Sequence, residues 1–163
     1  MIIGNKWDIY FLSEAWLIST RSKDPSTQCG SVIVAPNKSI VSKGYNGLPA
    51  TMPDTHEHYH NRPLKYETII HAEINAQIFA TRQLNGCCLY TWPLLPCSRC
   101  ASQMIQAGIE RVVAPINTIE RWEENIKLSK QSLMTSGVTI VEYDKEEVLE
   151  NIKTLMERLL CLN

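Results

Sequence analysis

The sequence predicts a three-layer α/β/α domain around a central mixed sheet of about five strands. Three observations carry this. The chain opens with a helical stripe and then a β-hairpin pattern. From residue 71 onward helical and strand patterns alternate, which puts helices against both faces of a largely parallel or mixed sheet. The length of 163 residues suits one core, so residues 1–163 are expected to form a single domain.

Each element has its own reason. Trp7, Phe11, Ala15 and Ile18 fall on one stripe, predicting a helix over Trp7–Thr20. Asp24-Pro25 turns the chain. Gly30–Ala35 is short and β-branched, Pro36-Asn37 is a turn, and Ile40–Tyr45 pairs back as a second strand. Gly47–Lys65, with three prolines and three histidines, reads as loop. Ile70, Ile74 and Ile78 are four apart, predicting a buried helix face over His71–Thr81. Cys88–Trp92 is a strand closed by Pro93. Cys97–Ala107 is a helix stopped by Gly108. Arg111–Ala114 is a strand, Ile119–Ser136 a helix ended by Gly137, and Val138–Tyr143 a strand. The last helix, Lys145–Leu162, has two apolar stripes. Val148, Ile152, Leu155 and Leu159 can cover the sheet; Leu149, Met156 and Leu160 are either core or a subunit contact.

Composition excludes several classes. Hydrophobic residues at 44% and charged residues at 20% are globular values, not those of a disordered chain. A net charge of −1 with no dense Lys/Arg run argues against a long nucleic acid as partner. No apolar stretch is long enough for a membrane span. Met1–Trp7 lacks the charged start and apolar run of a signal peptide, so a cytoplasmic protein is expected. Of the six cysteines, Cys97 and Cys100 form a C-x-x-C, which in such a compartment points to metal or chemistry rather than a disulfide. Cys87 and Cys88 are adjacent and would point to opposite sheet faces. Cys29 and Cys161 read as small core residues.

The chemistry concentrates in His71-Ala72-Glu73 and Pro96-Cys97-Ser98-Arg99-Cys100. Two thiolates three residues apart at a helix start converge on one point, favoured there by unpaired N–H groups and the helix dipole. His71 can add a nitrogen from another helix. Two sulfurs and one nitrogen leave one tetrahedral corner open, as a hydrolytic zinc requires. A structural zinc would need a fourth ligand, which His56, His58 or His60 can supply by counting; a redox C-x-x-C is the other alternative. Glu73, two residues from His71, tips the reading toward catalysis, because it can reach the same water without being a ligand. One catalytic zinc is expected, and a second, structural zinc is not.

H-x-E followed by P-C-x-x-C is the signature of zinc nucleobase deaminases. The sequence resembles the cytidine/deoxycytidylate deaminase superfamily, and most closely the deoxycytidylate (dCMP) deaminases. The segments that carry the narrower resemblance are Arg21–Gln28 with Gly30–Val34, and Gly44-Tyr45-Asn46-Gly47-Leu48-Pro49. Lys65-Tyr66 before the H-A-E triplet, Gln106–Ile109 and Arg111–Val113 continue it, so that it spans about Trp7–Tyr143. Cys29 stands where valine is usual, and Gln77 where isoleucine is common. The His56-Glu57-His58-Tyr59-His60 run is unusual and reads as a solvated loop or a nucleotide-facing lid.

The resemblance implies hydrolysis of dCMP to dUMP and ammonia, feeding thymidylate synthesis, with His71, Cys97 and Cys100 on zinc and Glu73 moving protons. It implies that Asn46 contacts the sugar, a position that Asn-Gly turn chemistry also explains, and that Thr27 lies beside the base. Arg21, Ser22 and Lys23 offer two cations and a hydroxyl suited to a phosphate, or form a solvated helix end. Tyr66 borders the nucleotide or merely packs. The resemblance further implies activation by dCTP and inhibition by dTTP at a site including Gly44, Tyr45, Asn46 and Gly47, with Arg62 and Lys65 as further phosphate candidates, in a homohexamer. Three alternatives remain open: dCTP accepted alongside dCMP, a tRNA or free-base deaminase of the same fold, and a non-enzymatic zinc module.

Overall fold

The computed structural model describes residues 5–161. Five strands form one sheet: β1 (Gly30–Val34), β2 (Ile40–Tyr45), β3 (Cys88–Trp92), β4 (Arg111–Pro115) and β5 (Thr139–Tyr143), in the order β2-β1-β3-β4-β5. β1 is antiparallel to both β2 and β3, whereas β3, β4 and β5 run parallel. The expected mixed five-stranded sheet is present. Consecutive residues of the central strands face opposite layers. Ile33, Leu89, Val112 and Ala114 join one core, and Val32, Val34, Tyr90 and Val113 the other.

Helices cover both faces. α1 (Lys6–Ser19) and α7 (Lys145–Cys161) pack on one side through Ile9, Phe11, Leu12, Ala15, Val148 and Ile152. α4 (Ala72–Ile78), α5 (Ser98–Gln106) and α6 (Glu123–Thr135) pack on the other through Ala76, Ala101, Met104, Ile126 and Leu133. The adjacent thiols divide as expected, Cys87 entering the core under α4, α5 and α6 and Cys88 lying against the core under α1 and α7. α1 begins where the Asn5 side chain accepts from the Trp7 N–H at 3.0 Å. Two glycines let helices touch the sheet. A Cβ on Gly30 would lie 2.1 Å from the Ala15 carbonyl oxygen, and one on Gly44 would lie 2.3 Å from both the Ala72 oxygen and the Ala76 nitrogen. Gly44 therefore sets how deeply α4 sits, and α4 starts directly after His71.

Several expectations need correction. Gly47–Lys65 is not loop throughout: it holds α2 (His56–His60) and α3 (Arg62–Thr68). Thr55 and Asn61 cap them by accepting from the N–H groups of His58 and Leu64, and Pro63 falls in the first turn of α3, where a missing N–H breaks no bond. The rings of His56 and His60 stack 3.7 Å apart along α2. The isoleucine stripe predicted for residues 70–78 is not the buried face. Ile70 bridges Gly47 before the helix, Ile78 is exposed, and the buried residues are Ala72, Glu73 and Ala76. Small residues win there because the helix lies so close to the sheet. Trp7 is exposed while Asp8 is buried, and Cys161 is exposed rather than core. The helix expected from Ile119 starts as a 3₁₀ turn, Glu120–Trp122. Residue 162 of the expected last helix and residues 1–4 of the expected leaderless start lie outside the described residues. Among the described residues no helix is long and apolar enough to cross a membrane.

Buried Asp8 ties the first face together. Its carboxylate accepts from Arg111 Nη1 and Nη2 at 2.8 and 2.6 Å, from the Tyr90 hydroxyl at 2.9 Å and from the Tyr143 hydroxyl at 2.9 Å. Burial pushes its pKa up, but these donors overcome that and hold it below the ordinary carboxylate value.

Candidate active site

β3 and β4 are parallel and end at the same edge of the sheet, so the segments leaving them enter one crevice. The segment after β3 carries Cys97, the N-cap of α5, and the first turn of α5 carries Cys100. His71 is the N-cap of α4. A cap residue has extended backbone, so its side chain is presented at the helix mouth rather than along its flank. The two helix starts thus bring three donors together. His71 Nδ1 lies 3.4 Å from Cys97 Sγ and 3.3 Å from Cys100 Sγ. Bonds of 2.0–2.1 Å to nitrogen and about 2.3 Å to sulfur put tetrahedral ligands about 3.6 Å apart. The observed spacings are within about 0.3 Å of that, so these residues fit a zinc ion. No other histidine, cysteine or carboxylate joins the cluster among the described residues. The fourth ligand that a structural zinc needed from His56, His58 or His60 is not there, because α2 keeps them apart from it.

The protonation of this cluster shows what an ion would relieve. The bond from Cys100 and the neighbouring His71 bring the Cys97 thiol well below its ordinary value against the opposing effect of burial. The same contact, together with burial, pushes Cys100 up. His71 rises to about 9, chiefly through its bond to Cys97. Two anionic sulfurs this close cannot coexist without a cation, and a divalent ion supplies one. Glu73 is 7% exposed, and its burial raises its affinity for a proton.

The cleft in front of the cluster has a volume of about 740 Å³, its open mouth included. His71, Glu73 and Cys97 line it, as do the expected Thr27, Asn46 and Tyr66. Asn46 is buried and heavily engaged. Its Oδ1 accepts from the Cys29 N–H at 2.7 Å, and its Nδ2 donates to the Thr27 carbonyl at 3.0 Å and to Asp24 at 3.2 Å. One Oδ1 lone pair remains for a ligand hydroxyl. Lys65 lines the cleft too, but its ammonium bonds Asp24 at 2.7 Å and Ser26 at 3.2 Å, with Lys65 and Asp24 both buried.

The trio Arg21, Ser22 and Lys23 does not line the cleft. Turn bonds from Arg21 N and Ser22 N back to Ile18 and Ser19 continue the end of α1, so the chain first reaches the cleft at Asp24. Arg21 lines a separate depression with Glu14 and Lys43. The Ser22 hydroxyl donates to the Asn46 carbonyl at 2.8 Å, and Lys23 pairs with Asp54. Gly44, Tyr45, Gly47 and Arg62 are outside the cleft as well, Gly44 packed under α4 and Tyr45 and Arg62 exposed. Sequence reasoning missed Asp24, Trp92, Arg121 and Trp122, which do line it. The crevice beyond the ends of parallel strands is a signal that could have found the last two, which follow β4.

Fold and donor set together define a class: zinc-dependent α/β enzymes that leave one position on the ion open beside a carboxyl group. Residues 5–116 match the family model described as the cytidine and deoxycytidylate deaminase zinc-binding region. The chain belongs to the cytidine and deoxycytidylate deaminase family. It is 40% identical over 139 residues to an uncharacterized deaminase in the luxG 3' region of Aliivibrio fischeri, covering 83% of this chain and 92% of that one. It is 38% identical over 114 residues to the deoxycytidylate deaminase of Homo sapiens, covering 66% of this chain and 64% of that protein's length. The dCMP deaminase of the cyanophage S-TIM5 superposes with a TM-score of 0.69 at 22% identity, covering 86% of this chain and all of that one (100%), a likeness of fold.

Proposed function

We propose that this chain catalyses the hydrolytic deamination of dCMP to dUMP and ammonia. The observation that carries the reading is the convergence of His71, Cys97 and Cys100 beside buried Glu73 in a cleft. The substrate is supported by the identity to deoxycytidylate deaminases of mouse and human, 39% and 38% over 114 residues. His71 Nδ1, Cys97 Sγ and Cys100 Sγ hold the zinc, which when bound makes a water acidic enough to attack near neutral pH.

Glu73 moves the protons. It takes one from the attacking water and delivers it to ring nitrogen 3 as the new bond forms at carbon 4. It then carries the remaining proton of the new C4 hydroxyl to the amine, the C4–N bond breaks as the C4 carbonyl forms, and ammonia leaves. A buried carboxyl with raised proton affinity suits this shuttle, since it must spend part of the cycle protonated near neutral pH. Thr27, Asn46 and Tyr66 surround the nucleotide, with Asn46 on the sugar. Nucleotide regulation by dCTP and dTTP through the Gly44–Gly47 loop, and a homohexamer, belong to the same reading. The exposed Met156, Leu159 and Leu160 on α7 offer such an assembly an apolar surface.

The test is ammonia release from dCMP, cytosine and adenosine-containing RNA in parallel, with zinc-loaded protein and with Glu73→Gln. Turnover confined to dCMP, and lost in a variant that still holds one zinc per chain, is the expected result. Release from RNA or free base but not from dCMP overturns the substrate; undiminished turnover in Glu73→Gln overturns the mechanism.

A further inference from the structure

The cleft poses a charge problem. If the substrate is a nucleotide, its phosphate needs a cation, and the trio the sequence offered points elsewhere. Lys65 faces the cleft but is neutralised by Asp24 at 2.7 Å, both side chains being buried. Arg121 remains. It lines the cleft, is exposed, and among the described residues has no carboxylate partner. Its Nη2 donates to the Thr27 hydroxyl oxygen at 2.8 Å.

We propose that Arg121, with the Thr27 hydroxyl as co-donor, selects a 5'-monophosphate in this cleft. The inference rests on the nucleotide reading above and specifies it. Arg121 sits in the 3₁₀ turn Glu120–Trp122, on the segment leaving β4. That segment flanks the one leaving β3, which carries Cys97, so a nucleotide with its base at the metal cluster can extend toward Arg121. The geometry leaves donors free. A guanidinium has five N–H groups, and the Thr27 contact uses one. Because Thr27 accepts from Arg121, its own hydroxyl proton is left to donate. A planar fork plus a hydroxyl matches the oxygens of a phosphate monoester. The surroundings set the limit: Ile69, Trp92, Leu94, Leu95 and Trp122 are apolar, and no second unpaired cation lines the cleft among the described residues. A triphosphate would bring charge that nothing there answers, and a nucleoside would leave Arg121 without a partner.

The test compares zinc-loaded wild type, Arg121→Ala and Arg121→Lys. Steady-state rates are measured with dCMP, deoxycytidine and dCTP, and calorimetric titrations with dUMP and deoxyuridine. In Arg121→Ala the kcat/KM preference for dCMP over deoxycytidine should fall about 30-fold, mostly through KM, as loss of charge-assisted hydrogen bonds predicts. The dUMP affinity should fall in parallel, and Arg121→Lys should restore part of both. A preference ratio within about twofold of wild type, or a wild type that favours dCTP over dCMP, overturns the proposal. Tight dUMP binding that depends on Arg121 without any deamination would sink the proposed function and leave this inference standing. Deamination of dCMP indifferent to Arg121 would do the reverse.

Discussion

Gly44→Ala isolates the coupling between the sheet and the chemistry. Gly44 lies on β2 directly beneath α4, the helix that starts after His71 and carries Glu73 in its first turn. The added methyl carbon would meet the Ala72 oxygen and the Ala76 nitrogen at 2.3 Å and the Asn75 carbonyl carbon at 2.9 Å. Ordinary contact begins near 3.4 Å, so α4 must lift by about 1 Å, and no flexible side chain can yield instead. Overpacking of this kind costs about 1–3 kcal/mol, or a Tm lower by roughly 3–10 °C. The larger effect falls on turnover, because a shift of about 1 Å in a catalytic group can cost about 10²-fold in rate. The assay is kcat for dCMP well below the new Tm, alongside zinc content and a thermal melt. Gly47→Ala is the stability control: its methyl meets the Tyr45 ring at 3.6 Å, so its Tm should stay within about 2 °C. A Gly44→Ala protein with wild-type Tm and wild-type kcat would refute the claim that this contact positions the helix.

Three further outcomes are expected. Glu73→Gln should retain zinc and lose at least about 10²-fold in kcat, read by ammonia release; a smaller loss removes Glu73 from the proton path. Asp8→Asn should destabilise the fold by about 3 kcal/mol, the lower end for breaking a buried pair, because Arg111 keeps partial access to water. The sign with pH follows from the lowered pKa of Asp8. Its ionised form contributes stability above the unfolded value near 3.8, and that stability disappears as pH falls through the lower folded value. Acid melts should therefore show the wild type losing its advantage over Asp8→Asn below about pH 4, and parallel curves would contradict this. Lys65→Ala strands the buried Asp24 carboxylate and should cost about 3–5 kcal/mol; a Tm within about 2 °C of wild type would show that the pair is not needed.

The ion pair of Asp24 and Lys65 also explains why the cleft is polar on one wall yet offers little charge. Asp24 organises the turn after α1, accepting from the Ser26 N–H at 2.8 Å, and it orients Asn46 from below. The two residues hold the wall in shape and cancel one another. What the cleft presents to a ligand is then decided by residues farther along the chain.

How much of this was legible in advance varies with the range of the interaction. Strand positions such as Cys88–Trp92 and Ile40–Tyr45 were readable because a period of two and flanking turn residues are local properties. So was the metal cluster, because helix-start geometry brings Cys97 and Cys100 together within one turn, and H-x-E supplies the rest. The helices α2 and α3 were missed because proline count outweighed the caps Thr55 and Asn61, although Pro63 stands where a helix tolerates it. The isoleucine stripe misled because periodicity reports amphipathicity, not distance: α4 lies so near the sheet that only Ala72 and Ala76 fit beneath it. The trio Arg21, Ser22 and Lys23, read from the sequence as suited to a phosphate, lies off the cleft, because the turn after α1 carries Arg21 and Ser22 away from it and Lys23 pairs with Asp54. The sequence alone determined the layered α/β class, the three donors and the neighbouring carboxyl, since these follow from patterns spanning a few residues. Only the tertiary structure decided which unpaired cation lines the cleft, because Arg121 and Thr27 are 94 residues apart and meet solely through the packing of the sheet.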